Sequence, residues 1–534
     1  MMNDVKSRAG FRPLPVARTF QRRAEARPTS ALRIAMAFTV VAIVPPLLAQ
    51  GSLRDEAETA LKKAATYYRT KVASHGGYVY YTSEDLTQRW GEGEATPDQI
   101  FTEPPGTPAV GCAYLDAFAA TGDRFHLEAA RETGLALIHG QLESGGWSQR
   151  IDFNPKGTHT GRYRNSKGPK DGRNHSSLDD NQTQSSIQFL ARLDRALEFK
   201  DPTVHDAAQY ALGSLLKAQF PIGAFPQGWA GPVAAYPIKK ASYPKDWPRL
   251  WPKEAYYNYY TLNDGLAGSV SDTLMTAIEV YNDERYRAAL AKLGDFLILA
   301  QMPDPQPAWC QQYNFEMQPT WARKFEPPAI CGLESEDAIE TLMKVYVVTG
   351  DKKYLTPIPR ALAYLKTCVL PDGRMPRFRE LETNRALYMT RPPGVSGSSS
   401  APGYYEFSYS DQNLPSHYGW KQPQQLDELS RQFAALEKGP RPSAKVTQRI
   451  TPDGKLFTVG ASEPGLKRSA AELEPKVREI LASLDAQGRW VSTYAGERLV
   501  GQPKFANGFR YLGSHVFIRN LEILSDYLNA SRSK

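Results

Sequence analysis

The sequence predicts an all-α fold, an (α/α) toroid or barrel of repeated helix pairs with long functional loops and little strand. A turn of the Gly-Asp or Asp-Pro type recurs at residues 121–123, 200–202, 282–284 and 349–351, at intervals of 79, 82 and 67 residues. Helical periodicity flanks each turn, and few stretches alternate as strands do. Because each helix pair must bury its apolar stripe against neighbours, such a repeat indicates a toroidal array.

The first helix of each predicted pair precedes its turn. Apolar residues recur at spacings of three and four in residues 113–120, 185–199, 271–281 and 338–348, and a second helical segment follows each turn. The loops at residues 149–177, 231–263, 311–333 and 376–418 are too long for simple connectors, so we expect them to carry function at one end of the toroid. Residues 471–481 and 516–528 predict two further helices. No boundary demands a second domain, so residues 51–534 are predicted to form one domain, with 440–534 as a helical extension packed on it.

Residues 1–50 are predicted to be an export leader. Eight Lys and Arg against two Asp and Glu occupy residues 1–33, and an apolar run of eleven residues follows at 34–44. A basic stretch, a short apolar run and then a small residue such as Ala49 are typical of an export signal, and the run is too short to span a bilayer comfortably. We expect the mature protein in the periplasm or outside the cell, without stable membrane insertion. A membrane anchor or a buried helix is the alternative.

The net charge of +8 lies mostly in this leader, since residues 51–534 hold 57 basic and 55 acidic residues, a net charge of +2. No nucleic-acid-binding motif is present. The remaining basic character is local, in the loops at residues 150–173 and 374–391, and predicts a polyanionic partner for a monomeric protein. The four cysteines lack the spacing of a metal site, and a Cys310–Cys331 disulfide or buried free thiols remain open.

Three acidic clusters precede helical segments, at residues 178–183, 261–265 and 334–337. Capping of a helix start explains any one of them, because Asp and Asn are preferred there. Three such clusters at equivalent places in a repeat predict instead that several carboxylates converge on one face. Hard oxygen ligands of this kind suit Ca²⁺.

Arginines and tryptophans occur beside these acids. Arg is the preferred partner of carboxylates because its planar fork pairs bidentately. Tryptophan rings offer flat faces for sugar stacking, although packing in the core is the commoner fate of a single Trp. The tryptophans in question are Trp147, Trp229, Trp309 and Trp321. Arginines, aromatic rings and a cation site together favour a polyanionic sugar as the partner.

Several motifs resemble the family 10 polysaccharide lyases, the pectate lyases of bacteria. The motifs are PQPAWCQQY at residues 305–313, WARKFEPPA at 321–329, the segments 178–183, 223–229 and 260–264, the Thr-Gly-Asp turn with Tyr354, and Arg377-Phe378 followed by Thr383-Asn384-Arg385 and Arg391. The likeness covers residues 60–420, and 501–505 with 511–528 is similar to the tail of longer members. The resemblance implies an (α/α) toroid, a calcium requirement and β-elimination of polygalacturonate (pectate).

The resemblance also implies roles for individual residues. Asp264 corresponds to the calcium ligand, and Asp179 and Asp180 are expected to hold further calcium at the catalytic subsites. Arg391, fourteen residues after Arg377, corresponds to the base that abstracts the proton. The residues expected to bind substrate are Asn181, Arg323, Arg377, Arg385 and Trp147.

The chemistry of elimination fits this residue set. A proton α to a carboxylate is hard to remove while that carboxylate keeps its full charge, and Ca²⁺ and Arg would stabilise the enediolate-like transition state. A guanidinium base requires an alkaline optimum, because Arg is normally protonated. Three alternatives remain open: a glycoside hydrolase of uronic-acid polymers on the same toroid, with Asp180 and Asp264 as its acid and base, a non-catalytic pectin-binding protein of the envelope, and a terpene-cyclase-like barrel.

Overall fold

The helices of the chain follow the predicted pairs. A computed structural model describes residues 52–165, 169, 172–392, 404–440 and 468–532. Its α-helices are α1 (Leu53–Tyr67), α2 (Thr107–Thr121), α3 (Arg124–His139), α4 (Gln182–Ala196), α5 (Pro202–Lys217), α6 (Leu266–Tyr281), α7 (Glu284–Ala300), α8 (Gly332–Thr349), α9 (Ile358–Cys368), α10 (Leu426–Lys438), α11 (Ala470–Ser483) and α12 (Ser514–Ala530). A π-helical turn, Tyr68–Val72, continues α1. Short 3₁₀ turns cover Asp179–Asn181, Tyr256–Asn258, Asn263–Gly265 and Lys352–Leu355.

The four predicted turns each end one helix and begin the next. Asp123, Asp201 and Asp283 cap the starts of α3, α5 and α7 by accepting hydrogen bonds from backbone N–H groups in the first turn. Asp351 does the same for the 3₁₀ turn before α9. A capping Asp satisfies N–H groups that have no partner within the helix. The recurrent Asp of the sequence repeat is therefore a helix-start signal.

The helices form an inner and an outer layer. Helices α12, α2, α4, α6, α8 and α10 pack against each other in this order, and each of α2, α4, α6 and α8 also packs against the outer helix that follows it. Helix α12 contacts α1 and α11 as well. This arrangement confirms the predicted all-α fold of repeated helix pairs. The division into a main domain and an extension at 440–534 stays a prediction.

The inner helices carry polar as well as apolar side chains in the core. Between α4 and α6, Gln184 donates a hydrogen bond to Ser269 Oγ at 2.9 Å, and one turn later Gln188 donates to Thr273 Oγ1 at 3.0 Å. Small residues allow close approach elsewhere: a Cβ on Gly111 in α2 would lie 2.2 Å from the Phe189 ring. The core depends on these fitted contacts, because interiors are packed as densely as crystals.

The strands are short. They are β1 (Tyr81–Ser83), β2 (Arg89–Gly91), β3 (Gly93–Glu94), β4 (Gln99–Phe101), β5 (Arg150–Asp152), β6 (Ser176–Ser177), β7 (Gly228–Trp229), β8 (Tyr260–Thr261), β9 (Gln312–Tyr313), β10 (Ala329–Cys331), β11 (Met375–Pro376), β12 (Phe378–Glu380), β13 (Ala386–Thr390), β14 (Glu406–Ser408), β15 (Lys421–Gln422), β16 (Val491–Thr493) and β17 (Arg510–Gly513). A five-stranded sheet has the order β16-β17-β1-β2-β3, and a four-stranded sheet has the order β10-β12-β13-β14. The other pairs are β4-β5, β6-β7, β8-β9 and β11-β15.

One strand pair recurs in every repeat. Strands β4, β6, β8 and β10 precede the inner helices α2, α4, α6 and α8, and each pairs with a strand that follows the outer helix of the same repeat: β5, β7, β9 and β12. All of these pairs are antiparallel. Each pair fixes the point where its inner helix begins, so equivalent residues of the repeats meet at one end of the inner layer.

Some predicted segments lie outside the described residues. They are the leader at 1–50, residues 166–168, 170–171 and 393–403 of the long loops, and residues 441–467 of the C-terminal extension. Among the described helices, none combines the length and the apolar character that crossing a membrane requires. The four cysteines are free and buried.

Candidate functional site

The acidic clusters lie where α4 and α6 begin, directly after β6 and β8. Asp180 has φ 43° and Asn181 has φ 62°, and at the equivalent place Asp264 has φ 52° and Gly265 has φ 71°. Residues other than Gly rarely adopt this left-handed conformation, although Asp and Asn tolerate it best. The same strained turn in two repeats aims Asp180 and Asp264 at a common point.

Three carboxylates meet at that point. Asp179, Asp180 and Asp264 each offer an oxygen, and these oxygens lie within 4.8 Å of one another. Gln227 donates a hydrogen bond to Asp179 Oδ1 at 2.8 Å, and Asn263 donates to Asp264 Oδ2 at 2.6 Å. The predicted convergence of two acidic clusters is therefore present, and we refer to Asp179, Asp180 and Asp264 as the acidic trio.

The third predicted cluster joins the trio through Glu334, in the first turn of α8. The backbone N–H of Asp264 donates to Glu334 Oε1 at 3.2 Å. Arg377 Nη2 bridges the two acids, at 2.9 Å from Asp264 Oδ1 and 3.0 Å from Glu334 Oε1. Both Arg377 and Glu334 are buried. Arg377 thus neutralises buried acids and orients Asp264.

Arg323 lies on the other side of Asp264. Its guanidinium pairs with Glu326 at 2.5 Å and with Asp264 Oδ2 at 3.4 Å. The Tyr418 hydroxyl donates to Glu326 at 2.9 Å, and the Tyr418 ring lies 4.9 Å below the Arg377 guanidinium. Two arginines and an aromatic ring therefore border the acidic trio.

Electrostatics divide the trio into two kinds of acid. Burial raises the pKa of Asp179 and of Asp180, and neighbouring carboxylates raise both further. Burial alone would raise the pKa of Asp264 too, but the charges of Arg377 and Arg323 outweigh it and lower that pKa. Asp179 and Asp180 form no ion pair within the described residues. Asp179 and Asp180 therefore hold their protons more strongly than Asp264, and Arg323 offsets only part of the rise in their pKa values.

The trio is suited to a hard divalent cation. Ca²⁺ is bound by carboxylate oxygens in flexible geometry, and three such oxygens within 4.8 Å supply this ligand type. The described residues place no His or Cys in this group, which is the ligand chemistry expected of calcium rather than zinc. The trio thus fits the predicted cofactor, with Asp179, Asp180 and Asp264 as candidate ligands.

A second acidic group adjoins the trio and was missed by sequence reasoning. Glu92, in the turn between β2 and β3, and Glu103, between β4 and α2, have carboxylate oxygens within 4.8 Å of each other and of an Asp180 oxygen. Glu103 follows β4 as Asp179 follows β6, so the repeat itself could have indicated it. Glu92 belongs to the N-terminal hairpin, where no comparable signal exists.

The aromatic residues predicted to stack on sugar lie in the core. Trp147 and Trp309 are fully buried, and their indole N–H groups donate to the backbone carbonyls of Leu137 and Leu297, each at 2.8 Å. Trp229 and Trp321 are also buried. In this conformation Trp147 has no accessible face for a sugar, because the equivalent loops of two repeats use Trp to pack against the preceding outer helix.

The other predicted site residues are dispersed. Asn181 lies beside Asp180, and neither polar atom of its side chain has a hydrogen-bond partner within the described residues. Arg385 is exposed, with its guanidinium 3.3 Å from the centre of the Tyr409 ring. Arg391 is exposed near Tyr404 and Tyr405, and a hydrogen bond to Tyr405 raises its pKa. The described contacts of Arg385 and Arg391 do not include the acidic trio.

The fold and the site define an (α/α)-toroid protein that gathers carboxylates and arginines where its inner helices begin. Residues 141–345 match a family model described as pectic acid lyase. The match includes the acidic trio and Arg323, and leaves Arg377 and Arg391 outside it. It confirms the resemblance and the prediction of an enzyme of the polysaccharide lyase class. No curated protein sequence matches the chain.

Solved structures resemble this chain at low identity. A mutant of a family 10 polysaccharide lyase from Cellvibrio cellulosa, in complex with trigalacturonic acid, is 19% identical over 61% of this chain and 98% of that chain, with a TM-score of 0.41. The cellobiose 2-epimerase from Bacillus thermoamylovorans is 12% identical over 89% of this chain and 98% of that chain, with a TM-score of 0.43.

Proposed function

We propose that the protein is a calcium-dependent pectate lyase that cleaves α-1,4-polygalacturonate by β-elimination and releases 4,5-unsaturated oligogalacturonates. The observation that carries this proposal is the acidic trio beside Arg323 and Arg377, within and next to the segment that matches the pectic acid lyase model. Localisation in the periplasm or outside the cell, as a monomer, belongs to the same proposal.

The reaction requires charge neutralisation at a substrate carboxylate. A base removes the proton on carbon 5, the C4–O4 bond breaks, a double bond forms between carbons 4 and 5, and the leaving oxygen takes up a proton. Ca²⁺ held by Asp179, Asp180 and Asp264 would supply Lewis-acid neutralisation of that carboxylate. Arg323 and Arg377 keep Asp264 ionised and oriented, so that Asp264 retains its charge when substrate binds.

Arg391 remains the proposed base. Its hydrogen bond to Tyr405 raises its pKa and favours the cation. Only the neutral form of Arg391 can accept a proton, so turnover is expected to rise with pH as this form becomes more populated. Arg391→Ala should abolish turnover and leave oligogalacturonate binding measurable, whereas Arg360→Ala, a change at an exposed arginine of the outer helix α9, should retain turnover. Near-normal activity of Arg391→Ala would assign the base to another residue.

The decisive assay follows ultraviolet absorbance of the unsaturated product. Purified protein and polygalacturonate should produce absorbance with Ca²⁺ and none after chelation. Saturated products that form despite the chelator would support a glycoside hydrolase instead. The trio's oxygens, within 4.8 Å of one another, are closer than the roughly 6.5–9.5 Å between the two carboxyls of inverting hydrolases but near the roughly 5–5.5 Å of retaining ones. The product therefore separates a lyase from a retaining hydrolase. Binding without any product would indicate the non-catalytic pectin-binding protein.

A further inference from the structure

We propose that Tyr257 is a stacking platform that holds one galacturonate ring of the substrate beside the acidic trio. The inference rests on the proposed function for the identity of the sugar, and it deepens that function by naming a residue that positions the chain. The tryptophans expected in this role, among them Trp147, are buried in the core. The fold therefore leaves the aromatic platform to another residue.

Four aromatic side chains are strongly exposed among the described residues: Phe199, Tyr210, Tyr257 and Tyr409. An arginine guanidinium covers the rings of Tyr210 and Tyr409, at 3.8 and 3.3 Å from the ring centres, and both hydroxyls donate hydrogen bonds. Phe199 follows the end of α4, whereas the acidic trio lies where α4 begins. Tyr257 is the remaining exposed ring.

The Tyr257 ring is open to a ligand. Its side chain is 43% exposed. Its ring contacts, with His175 at 5.6 Å and with Tyr256 at 6.0 Å between centroids, are both T-shaped. Within the described residues no ring is stacked flat on Tyr257, and no cation lies over it. A tyrosine held in this way offers an apolar ring face at a wet surface, which matches the C–H face of a sugar.

The backbone of Tyr257 is fixed next to the trio by Gln227. The Gln227 backbone N–H donates to the carbonyl oxygen of Tyr257 at 3.1 Å, and the Gln227 side-chain amide donates to Asp179 Oδ1 at 2.8 Å. On the other side of the 3₁₀ turn, Gln312 donates to the carbonyl oxygen of Tyr256 at 2.5 Å. One residue thus separates the backbone of Tyr257 from a candidate calcium ligand.

The neighbouring Tyr256 side chain indicates that this turn borders the site. Burial raises the pKa of Tyr256 to about 12, and the next influences on it are the charges of Arg323, Glu326, Asp179 and Asp264. Charges act strongly only over short distances in salt solution. Tyr256 is therefore close to the charged groups, while Tyr257, the next residue of the same turn, is exposed to solvent.

His175 supports the platform from the β6–β7 pair. A Cβ on Gly228 would lie 2.3 Å from His175 Cε1, so the glycine leaves room for the imidazole that contacts Tyr257. Burial lowers the pKa of His175, and the charge of Arg173 lowers it further. The imidazole is therefore neutral at the alkaline pH expected for turnover. The platform contributes apolar contact with the sugar ring and leaves the carboxylates to calcium and arginine.

The test compares KM and kcat for elimination of polygalacturonate in the wild type, Tyr257→Ala and Tyr257→Phe. Burying about 50 Å² of apolar surface changes affinity roughly fivefold to tenfold, so Tyr257→Ala should raise KM by about this factor. Its kcat and its calcium requirement should stay unchanged, because stacking binds the ground state and the transition state alike. Tyr257→Phe keeps the ring and should stay within about twofold of the wild-type KM.

The matched control is Tyr210→Ala, a change at an exposed tyrosine of the outer helix α5, and its KM should equal that of the wild type. An unchanged KM in Tyr257→Ala would overturn the inference, as would an equal rise in Tyr257→Phe. Thermal unfolding of Tyr257→Ala should match the wild type, because the side chain is exposed. A clearly lowered unfolding temperature would assign the rise in KM to the fold and overturn the platform.

Failure of the lyase proposal is distinguishable from failure of the platform. If the wild type forms no unsaturated product, the dissociation constant of oligogalacturonate from calorimetry replaces KM. A weaker complex in Tyr257→Ala would then support the platform and contradict the lyase. A wild type that binds no oligogalacturonate would contradict both.

Discussion

Replacing Arg377 with Met is expected to destabilise the protein strongly. Arg377 is 4% exposed and bridges Asp264 Oδ1 at 2.9 Å and Glu334 Oε1 at 3.0 Å. Without it, Glu334, which is fully buried, keeps its charge beside Asp264 with no counter-ion of its own. Breaking a buried ion pair by removing one partner costs about 3–5 kcal/mol, a large fraction of a typical stability of about 5–15 kcal/mol.

The neighbours of the two acids indicate which of them accounts for most of this loss of stability. Arg323 stays 3.4 Å from Asp264 and compensates part of its charge, whereas Glu334 has no second cation within the described residues. Most of the loss therefore comes from Glu334, and adding Glu334→Gln to Arg377→Met should restore at least about 1 kcal/mol, since a neutral amide costs less to bury than a charge. Urea unfolding in the presence of a chelator measures both variants without a contribution from metal.

The pH dependence of Arg377→Met provides an internal check. In this variant the folded-state pKa values of Glu334 and Asp264 should both exceed those of the unfolded chain, so the folded form binds more protons, and stability should fall as pH rises above about 4. The loss of stability of Arg377→Met relative to the wild type should be smaller at about pH 5 than at about pH 8. Arg385→Met, a change at an exposed arginine, should cost less than about 1 kcal/mol. A loss for Arg377→Met as small as that control would refute the reasoning.

Three further predictions concern the core. Trp147→Ala should lower the free energy of unfolding in urea by about 3–5 kcal/mol. Trp147→Phe should leave the affinity for oligogalacturonate unchanged in calorimetry, and a large loss of affinity would show that Trp147 contacts the sugar. Gly111→Ala should cost about 1–3 kcal/mol in thermal unfolding, because its Cβ would lie 2.2 Å from Phe189, whereas Gly213→Ala, with nothing within 4 Å, should be neutral or stabilising. Burial lowers the pKa of His126 to about 4, so the contribution of this histidine to stability should be complete above about pH 6.5. Up to about 3 kcal/mol of it should be lost as pH falls to about 4. If the free energy of unfolding of His126→Leu depended on pH as steeply as that of the wild type, this prediction would be wrong.

Local signals made the helix pairs predictable. The recurrent turns contain Asp123, Asp201, Asp283 and Asp351, and each accepts backbone N–H groups at the start of the following helical segment. These interactions join residues two or three positions apart, so a single sequence displays them. The strand pairs that fix the start of each inner helix were not predicted. Pairs such as β6 with β7 join segments about fifty residues apart, and their strands are too short to show an alternating pattern.

The site was predictable where it repeats. Asp180 and Asp264 occupy equivalent positions before inner helices, and the structure brings them together with Asp179. Glu92 was not predicted because it lies on a hairpin outside the repeat, so no equivalent position in another repeat indicates it. Trp147 was predicted to bind sugar, but sequence composition does not reveal that a backbone carbonyl satisfies its indole N–H inside the core.

The most direct test of the central claim compares the calcium dependence of elimination in the wild type and in Asp179→Asn. Within the described residues the Asp179 carboxylate accepts one hydrogen bond, from Gln227. Asn retains an oxygen at the same place, so the variant removes charge with little change of shape. The measurement is the rate of unsaturated product formation from polygalacturonate as Ca²⁺ is restored to chelated protein. We predict that Asp179→Asn needs at least about tenfold more Ca²⁺ for half-maximal rate, a difference of about 1.4 kcal/mol. Identical calcium curves, or elimination that persists in the chelator, would contradict a metal site at the acidic trio.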